Sequence, residues 1–224
     1  MRNIAVMIPC YNEALTIGLV IEDFKKCLPN ATIYVYDNNS TDETASIASG
    51  YDDVIVRKAP IQGKGAVVKQ MFKEIDADIY LIVDGDATYP AKYASQLIAG
   101  VDNGCDMMLG DRLSSNYFED NKRPFHGIGN WLVRYLVNKL YHGNIVDIMT
   151  GYRAFSKHFV KNVQLISDGF EVETEMSIYA LKNKCKIDSI SIDYKDRPDG
   201  SVSKLNTFSD GFKVIRTIFK LRRP

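Results

Sequence analysis

The sequence predicts an α/β protein organised on a parallel sheet, and three observations lead there. Short apolar runs at residues 4–8, 31–36, 78–83 and 106–109 alternate with stretches of helical periodicity, the pattern of βαβ units. Each of these four runs ends in a polar cluster: Asn12-Glu13, Asp37-Asn38-Asn39, Asp84-Gly85-Asp86 and Asp111-Arg112. In an open parallel sheet such ends share one edge, where ligands bind. At 224 residues, with 46% hydrophobic and 25% charged side chains, the chain can bury one substantial core.

The elements follow in order. Residues 4–8 form the first strand, and Pro9-Cys10-Tyr11-Asn12-Glu13 the turn after it. Residues 14–27 carry a helical apolar pattern (Leu15, Leu19, Val20, Phe24, Cys27) that stops before Pro29. After the strand at 31–36, Ser40 or Thr41 can cap a helix beginning near Asp42. Residues 53–57 make a third strand, which lacks a polar cluster. Gln62-Gly63-Lys64-Gly65 opens a helix through Ile75. A strand at 78–83, a helix at 90–101 and a strand at 106–109 complete the first half. Residues 114–124 are a polar loop. Residues 125–141 are helical, with Ile128, Leu132, Val133, Leu136, Val137 and Leu140 on one side, and Trp131, Leu132 and Tyr135 are expected in the core. Residues 147–155 are part turn and part strand. A helix over 169–181 carries Glu171, Glu173 and Glu175. Residues 186–194 alternate as a half-buried strand should, residues 196–205 are a polar loop, and residues 207–223 form the last helix.

Composition excludes more than it assigns. Lys+Arg and Asp+Glu are both 28, so net charge points to no nucleic acid. Cys10, Cys27, Cys105 and Cys185 are scattered, which reads as reduced thiols. His126, His142 and His158 lack metal-ligand spacing and read as structural or surface residues; His126, beside Arg123-Pro124, is the one worth testing. No run of 18 apolar residues exists, and Met1-Arg2-Asn3 leads straight into a strand, so neither a membrane span nor a signal peptide is expected. Neither a Walker loop nor G-x-G-x-x-G occurs, which argues against P-loop NTPases and dinucleotide dehydrogenases.

The clusters support a definite chemistry. Asp84 and Asp86 stand at i and i+2 on a strand end, with Gly85 letting the chain turn and a ligand approach. Two carboxylates there suit Mg²⁺ or Mn²⁺, which take one or two carboxylates plus substrate phosphates; a plain strand-to-helix turn capped by Asp is the structural alternative. Asn12, Glu13, Asp37 and Asn39 offer acceptors and amides fit for a base and ribose, or for loop capping alone. Lys64, between two glycines at a helix start, can meet a phosphate. Together these suggest a nucleoside-diphosphate ligand whose metal offsets charge on a departing diphosphate.

At this point the motifs carry a resemblance. Ile8-Pro9-Cys10-Tyr11-Asn12-Glu13, Asp37-Asn38-Asn39-Ser40-Thr41-Asp42, Gly63-Lys64-Gly65 and Asp84-Gly85-Asp86 resemble the ordered signature of family 2 GT-A glycosyltransferases. Gly110-Asp111-Arg112, residues 147–153, residues 170–176 and residues 197–204 resemble its polyprenyl-phosphate branch, which contains dolichol-phosphate mannose synthases and bacterial undecaprenyl-phosphate glycosyltransferases. The resemblance spans about Ile4 to Lys204. It implies a GT-A, Rossmann-like fold with a mixed, mostly parallel sheet flanked by helices. Pro9, Tyr11, Asn12, Glu13, Asp37, Asn39, Lys64, Asp84 and Gly85 would hold the nucleotide, and Asp84 and Asp86 the metal. Arg112, Arg153, Arg197 and Lys204 would face the diphosphate and the acceptor phosphate. Two departures stand out: Asn38-Asn39 replaces the Asp-Gly of many relatives, and Thr88 replaces another polar residue.

A phosphate acceptor has independent physical support. A sugar hydroxyl needs a general base, whereas a phosphomonoester, with a second pKa of about 6, is largely dianionic at neutral pH and needs only cations. Arginines in the second half, Arg123 among them, supply forks for phosphate, with Asp111 and Asp196 as the expected neutralising neighbours of Arg112 and Arg197. Glu173, flanked by Glu171 and Glu175, would then orient Arg153 or Arg197 or help hold the metal. The last helix sets Phe208, Phe212, Val214, Ile215, Ile218, Phe219 and Leu221 beside Lys213, Arg216, Lys220, Arg222 and Arg223, with Asp210 the one acid. Such a helix reads as lying on anionic lipid, or as packed on the sheet with its charges in solvent. Many relatives continue into transmembrane helices here, so a longer chain or a small membrane-protein partner both fit.

The expected organisation is therefore a catalytic domain over 1–206, with a nucleotide-sugar half (1–111) and an acceptor half (112–206), followed by an interfacial, membrane-facing helix (207–224). The expected activity is inverting, metal-dependent transfer from UDP-glucose or UDP-N-acetylglucosamine to undecaprenyl phosphate for cell-envelope glycans, at the cytoplasmic face of the membrane. Two alternatives remain: a family 2 transferase acting on a saccharide hydroxyl with a Glu base, and a nucleotide-sugar-binding subunit without turnover. A nucleotidyltransferase would carry a Gly-rich basic loop after its first strand, which Pro9-Cys10-Tyr11-Asn12-Glu13 is not.

Overall fold

The computed structural model describes residues 2–114 and 126–222, without the side chains of 126–128 and 207. The polar loop expected over 114–124 lies almost wholly outside the described residues, as do Arg123, Arg223 and the His126 side chain.

Among the described residues, seven strands form one sheet: β1 (Ile4–Cys10), β2 (Thr32–Asp37), β3 (Val54–Lys58), β4 (Ile79–Ile82), β5 (Met107–Asp111), β6 (Arg153–Ser156) and β7 (Ile187–Ser191). Their order is β3-β2-β1-β4-β6-β5-β7. β6 runs antiparallel to both β4 and β5; every other pairing is parallel. The sheet is thus mixed and mostly parallel, and it draws strands from both halves of the chain. Six strands deliver their C-terminal ends to one edge. Because β6 opposes them, the turn before Arg153 reaches that same edge.

Helices cover both faces, so the strands are apolar on both sides. Alternation along each strand decides which side a residue serves. Met7, Tyr80, Ile82, Leu109 and Phe155 meet α3 (Lys64–Glu74), α5 (His126–Tyr141), α6 (Lys157–Asn162), α7 (Val172–Lys182) and α8 (Thr207–Lys220). Val6, Ile8, Leu81, Met108 and Ala154 meet α1 (Ile17–Cys27), α2 (Thr44–Ser49) and α4 (Ala94–Asp102).

Several local expectations are corrected. α1 begins at Ile17, because the amides of Thr16 and Ile17 both donate to the Glu13 carbonyl; Ile17, Val20, Ile21 and Phe24 are its core face, while Leu15 and Leu19 are exposed. Ser40 and Thr41 do not cap α2. Ser40 Oγ instead accepts the Asn12 amide at 2.9 Å, and Thr44 Oγ1 the Glu13 amide at 2.8 Å, which ties the β1 turn to the β2 turn. Trp131, Leu132 and Tyr135 are not core: they are 55%, 38% and 45% exposed, and the two rings stack at 5.5 Å. The inward side of α5 is Val133 and Val137.

The glycines at the start of α3 also serve packing. Gly63 has φ +129°, and a Cβ on it would run into the Asp168 carbonyl; one on Gly65 would run into the Ser167 carbonyl. This lets the Ala66 amide donate to Asp168 O at 3.1 Å. Gly65→Ala is expected to lower stability by about 1–3 kcal/mol, the cost of overpacking a rigid contact, measured by urea unfolding; an unshifted midpoint would contradict it.

Candidate active site

The polar strand ends meet as expected from the topology. Asn12 (φ +54°), Asn39 (φ +63°) and Ala87 (φ +59°) are left-handed at the turns after β1, β2 and β4. Asn accepts that conformation readily, whereas Ala is strained in it. The bend at Ala87 brings the Thr88 hydroxyl to Asp86 Oδ1 at 2.6 Å, so Thr88 orients the carboxylate.

Among the described residues, two cavities on this edge border the Asp84–Asp86 pair. The first, about 530 Å³, takes in Pro9, Tyr11, Glu13, Lys64 and Gly85 of the expected nucleotide set, and Lys204 of the residues expected to face phosphate. The second, about 210 Å³, takes in Arg112 and Glu173 beside Tyr89, Tyr194, Asn130 and Met149. Asp84, Asp86, Lys64 and Arg197 border both, together with Phe170, Leu205 and Asp210. The two carboxylates therefore stand where the cavities join.

Charge at the junction is paired. Lys64 Nζ lies 2.5 Å from Asp84 Oδ1 and 2.5 Å from Glu173 Oε1. Burial would push the Lys64 ammonium down, but Asp84 and Glu173 outweigh it and hold it above its ordinary value. Burial pushes the Glu173 carboxyl up, and Lys64 opposes that shift. Arg197 Nη2 meets Asp86 Oδ2 at 2.5 Å, and Lys204 Nζ meets Glu13 Oε1 at 2.8 Å and the Asn12 carbonyl at 2.7 Å. Burial raises the Glu13 carboxyl against the pull of Lys204. Arg197 and Lys204 both come from the segment after β7, which folds back over the edge.

Four expected residues line neither cavity. The Asn12 carbonyl of its side chain accepts the Thr41 amide at 2.8 Å, Asn39 donates to the Pro60 carbonyl at 3.1 Å, and Asp37 accepts the Ser40 amide at 3.3 Å. Arg153 is 1% exposed and braces the turn before β6, donating to Thr150 O at 2.9 Å, Ser177 Oγ at 3.0 Å and Ile148 O at 2.5 Å. Burial lowers its pKa to about 10. Its guanidinium is taken up by these acceptors and reaches neither cavity, so the expectation that it faces phosphate is corrected. Glu173 pairs with Lys64, not with Arg153 or Arg197. Glu175 accepts the Ile166 and Ser167 amides, a loop-holding role. Gly85 borders the first cavity, but its close approach is to Cys10: an added Cβ would lie 2.8 Å from Sγ.

Sequence reasoning missed three residues. Asp147 is the partner of Arg112, in place of Asp111: Nε donates to Oδ2 at 2.8 Å and Nη2 to Oδ1 at 2.9 Å. Asp111 instead accepts the Leu113 amide at 2.9 Å. Asp147 stood in a quoted motif, but no local spacing ties it to Arg112. Likewise Asp86 and Glu13, not Asp196, neutralise Arg197. Asn38 binds the Gly63 amide at 2.7 Å and the Ile61 carbonyl at 2.7 Å, holding the approach to α3. Asp210 was visible only as the lone acid of a basic helix.

This arrangement, a mostly parallel sheet with an Asp-Gly-Asp strand end between two cavities, is the glycosyltransferase GT-A architecture. The chain belongs to glycosyl transferase family 2, whose model matches residues 5–163, and it is a glycosyltransferase. Glycosyltransferase AglJ of Haloferax volcanii is 31% identical over 223 residues, covering 97% of this chain and 71% of that protein. A dolichyl-phosphate hexose transferase of the same organism is 24% identical over 219 residues, covering 98% and 93%. The structure of glucosyl-3-phosphoglycerate synthase from Mycobacterium tuberculosis with Mn²⁺, uridine diphosphate and phosphoglyceric acid superposes with a TM-score of 0.81 at 19% identity, covering 99% of this chain and 79% of that one, a likeness of fold.

Arg112 and Asp147 form a buried, two-pronged pair, with side chains 10% and 1% exposed. Asp147→Ala removes the carboxylate from a buried guanidinium and is expected to cost about 3 kcal/mol or more, read from the unfolding midpoint; a loss within 0.5 kcal/mol, the range of about an ordinary surface change, would show the pair to be dispensable.

Proposed function

We propose that the protein is an inverting, metal-dependent transferase that moves a sugar from a nucleotide sugar to a polyprenyl phosphate at the cytoplasmic face of a membrane. UDP-glucose or UDP-N-acetylglucosamine is the first-choice donor. The reading rests on one observation: two chemically different cavities meet at Asp84 and Asp86. Residues 1–111 would supply most of the donor site and 112–206 most of the acceptor site, with Lys204 crossing to the donor, and the outward side of 207–224 would meet the bilayer surface.

The residues present fit a hard divalent cation. Asp84 and Asp86 offer oxygen donors from one strand end, and no group of three or more acidic, His or Cys ligands occurs among the described residues. Mg²⁺ and Mn²⁺ suit such a sparse set, because substrate phosphate and water complete their shell; a structural zinc does not. Asp84, Lys64 and Glu173 together carry one net negative charge (two carboxylates, one ammonium), which a cation would offset. Bound there, the metal supplies Lewis-acid stabilisation of the departing diphosphate. The Mn²⁺ and uridine diphosphate in the structure of the M. tuberculosis enzyme support this assignment.

The chain's own residues would do the rest. Pro9, Tyr11 and Glu13 wall the nucleotide cavity, and Lys204 and Lys64 add positive charge beside the diphosphate. Lys204 borders this cavity and not the second, and it pairs there with Glu13, so it belongs to the donor. Arg112 borders only the second cavity, against Tyr89 and Tyr194, whose rings lie 6.0 and 5.3 Å from its guanidinium carbon. It would face the acceptor phosphate, with Arg197 between the two anions. The acceptor oxygen, already deprotonated, attacks the anomeric carbon as the carbon–oxygen bond to the diphosphate breaks, with inversion. No proton needs to move. The name of the dolichyl-phosphate hexose transferase, which aligns over nearly the whole chain, supports a lipid phosphate as acceptor.

A second reading, transfer to a saccharide hydroxyl, is favoured by Glu173, which borders the second cavity with a raised pKa and would be the base. Its oxygen is held by Lys64 at 2.5 Å, which weighs against it. Incubating UDP- and GDP-sugars with short-chain polyprenyl phosphate or free saccharide, with and without chelator, separates the two. Product on the lipid phosphate alone, lost with chelator and in Asp86→Ala despite an unchanged unfolding curve, is expected. Product on the saccharide alone would end the lipid-phosphate reading.

No helix among the described residues is long and apolar enough to cross a membrane. α8 buries Val214 and Ile218 yet leaves Phe208 83% and Phe212 72% exposed beside its cations, and α5 shows the Trp131–Tyr135 stack. Exposed aromatics with basic neighbours suit an anionic lipid surface. Replacing Phe208 and Phe212 by Ser is expected to reduce cosedimentation with phosphatidylglycerol vesicles about tenfold or more while sparing transfer to a water-soluble acceptor. Undiminished vesicle binding would remove the membrane from the proposal.

A further inference from the structure

We infer that Asp210 reads the hydroxyls of the transferred sugar and so helps set which sugar is transferred; this rests on the nucleotide-sugar reading above. Asp210 borders both cavities. Of the other side chains that do, Lys64, Asp84, Asp86 and Arg197 are bound in ion pairs at the anionic junction. Phe170 and Leu205 carry no charge, and Asp210 pairs with Lys213 of its own helix at 3.0 Å and not with the junction carboxylates or their cations; these three bound the space between the donor end and the acceptor end. What lies between two phosphates in such a reaction is a neutral polyol. A carboxylate would repel either phosphate, but it accepts strong, directional hydrogen bonds from hydroxyls. Phe170 and Leu205 offer apolar surface to the C–H faces of a ring.

The geometry of Asp210 suits recognition. It is 8% exposed and sits in the first turn of α8, a rigid element. Asp210 Oδ2 accepts the Asn206 amide at 2.9 Å, and Oδ1 accepts from Lys213 Nζ at 3.0 Å. An ionised carboxylate has about four acceptor sites, so each oxygen keeps one for a ligand. Helix capping alone does not account for the residue's place in both cavities: Asn206 already caps α8 through the Ser209 amide at 3.1 Å. Asp210→Asn preserves an oxygen for the Asn206 amide while removing the charge, which makes it the variant of choice.

The test measures binding by calorimetry in the presence of Mn²⁺, without acceptor, using the full chain. The ligands are UDP, UDP-sugars and their single-deoxy analogues, with the GDP series alongside. In the wild type, the preferred nucleotide sugar is expected to bind more tightly than its nucleotide alone. Asp210→Asn should weaken the nucleotide sugar about tenfold or more, the worth of one charge-assisted hydrogen bond. Binding of the bare nucleotide should stay within about twofold by the same conversion, which also reports an intact fold. One deoxy analogue should bind wild type and variant equally. Equal weakening of nucleotide and nucleotide sugar, no weakening of either, or a wild type that does not distinguish them would each overturn the inference. Because no acceptor is present, failure to transfer to polyprenyl phosphate would sink the proposed reaction without deciding this result.

Discussion

The buried ammonium of Lys64 is the interaction on which the edge depends. It starts α3, reaches the end of β4 at Asp84, and reaches α7 at Glu173. One lysine between the two carboxylates offsets the repulsion between them. The lysine can reach them only because α3 begins hard against the 167–169 backbone, and that contact requires hydrogen in place of a side chain at Gly63 and Gly65. Backbone packing, a strand end and a second helix thus converge on one charge.

The remaining cations of the edge follow the same logic of pairing. Arg112 is held by Asp147, Arg197 by Asp86 and Glu13, and Lys204 by Glu13. These groups are therefore positioned before any anion arrives, and a bound phosphate competes with carboxylates already in place. Arg197 and Lys204 come from one segment, residues 192–206, so the donor cavity is bounded on one side by the chain's last loop and on the other by its first turn.

α8 shows three sides to three surroundings. Val214 and Ile218 enter the core with α5 and α7, Asp210 enters the cavities, and Phe208 and Phe212 face outward. A helix with a broad apolar stripe can serve both packing and a surface, because the stripe is wider than one neighbouring helix covers. The same division on α5 places Val133 and Val137 inside and Trp131 and Tyr135 outside.

By itself the sequence determined the strands, their polar ends and the edge those ends share, because short apolar runs closed by polar clusters and βαβ connection are local rules that need no partner. It also determined the Asp84–Asp86 pair, since two residues apart on one strand end is a local relation. Tertiary structure alone decided which charges meet. Asp147 finds Arg112 and Glu173 finds Lys64 across 35 and 109 residues, and no spacing encodes that. Arg153, one residue among several arginines in sequence, reaches the edge because β6 runs against its neighbours, but its guanidinium is buried on Thr150, Ile148 and Ser177. Asp210, a lone acid on a basic helix, acquires a site only when α8 folds back over the edge. Local rules specify which groups a segment offers; the crossing of distant segments specifies what each group faces.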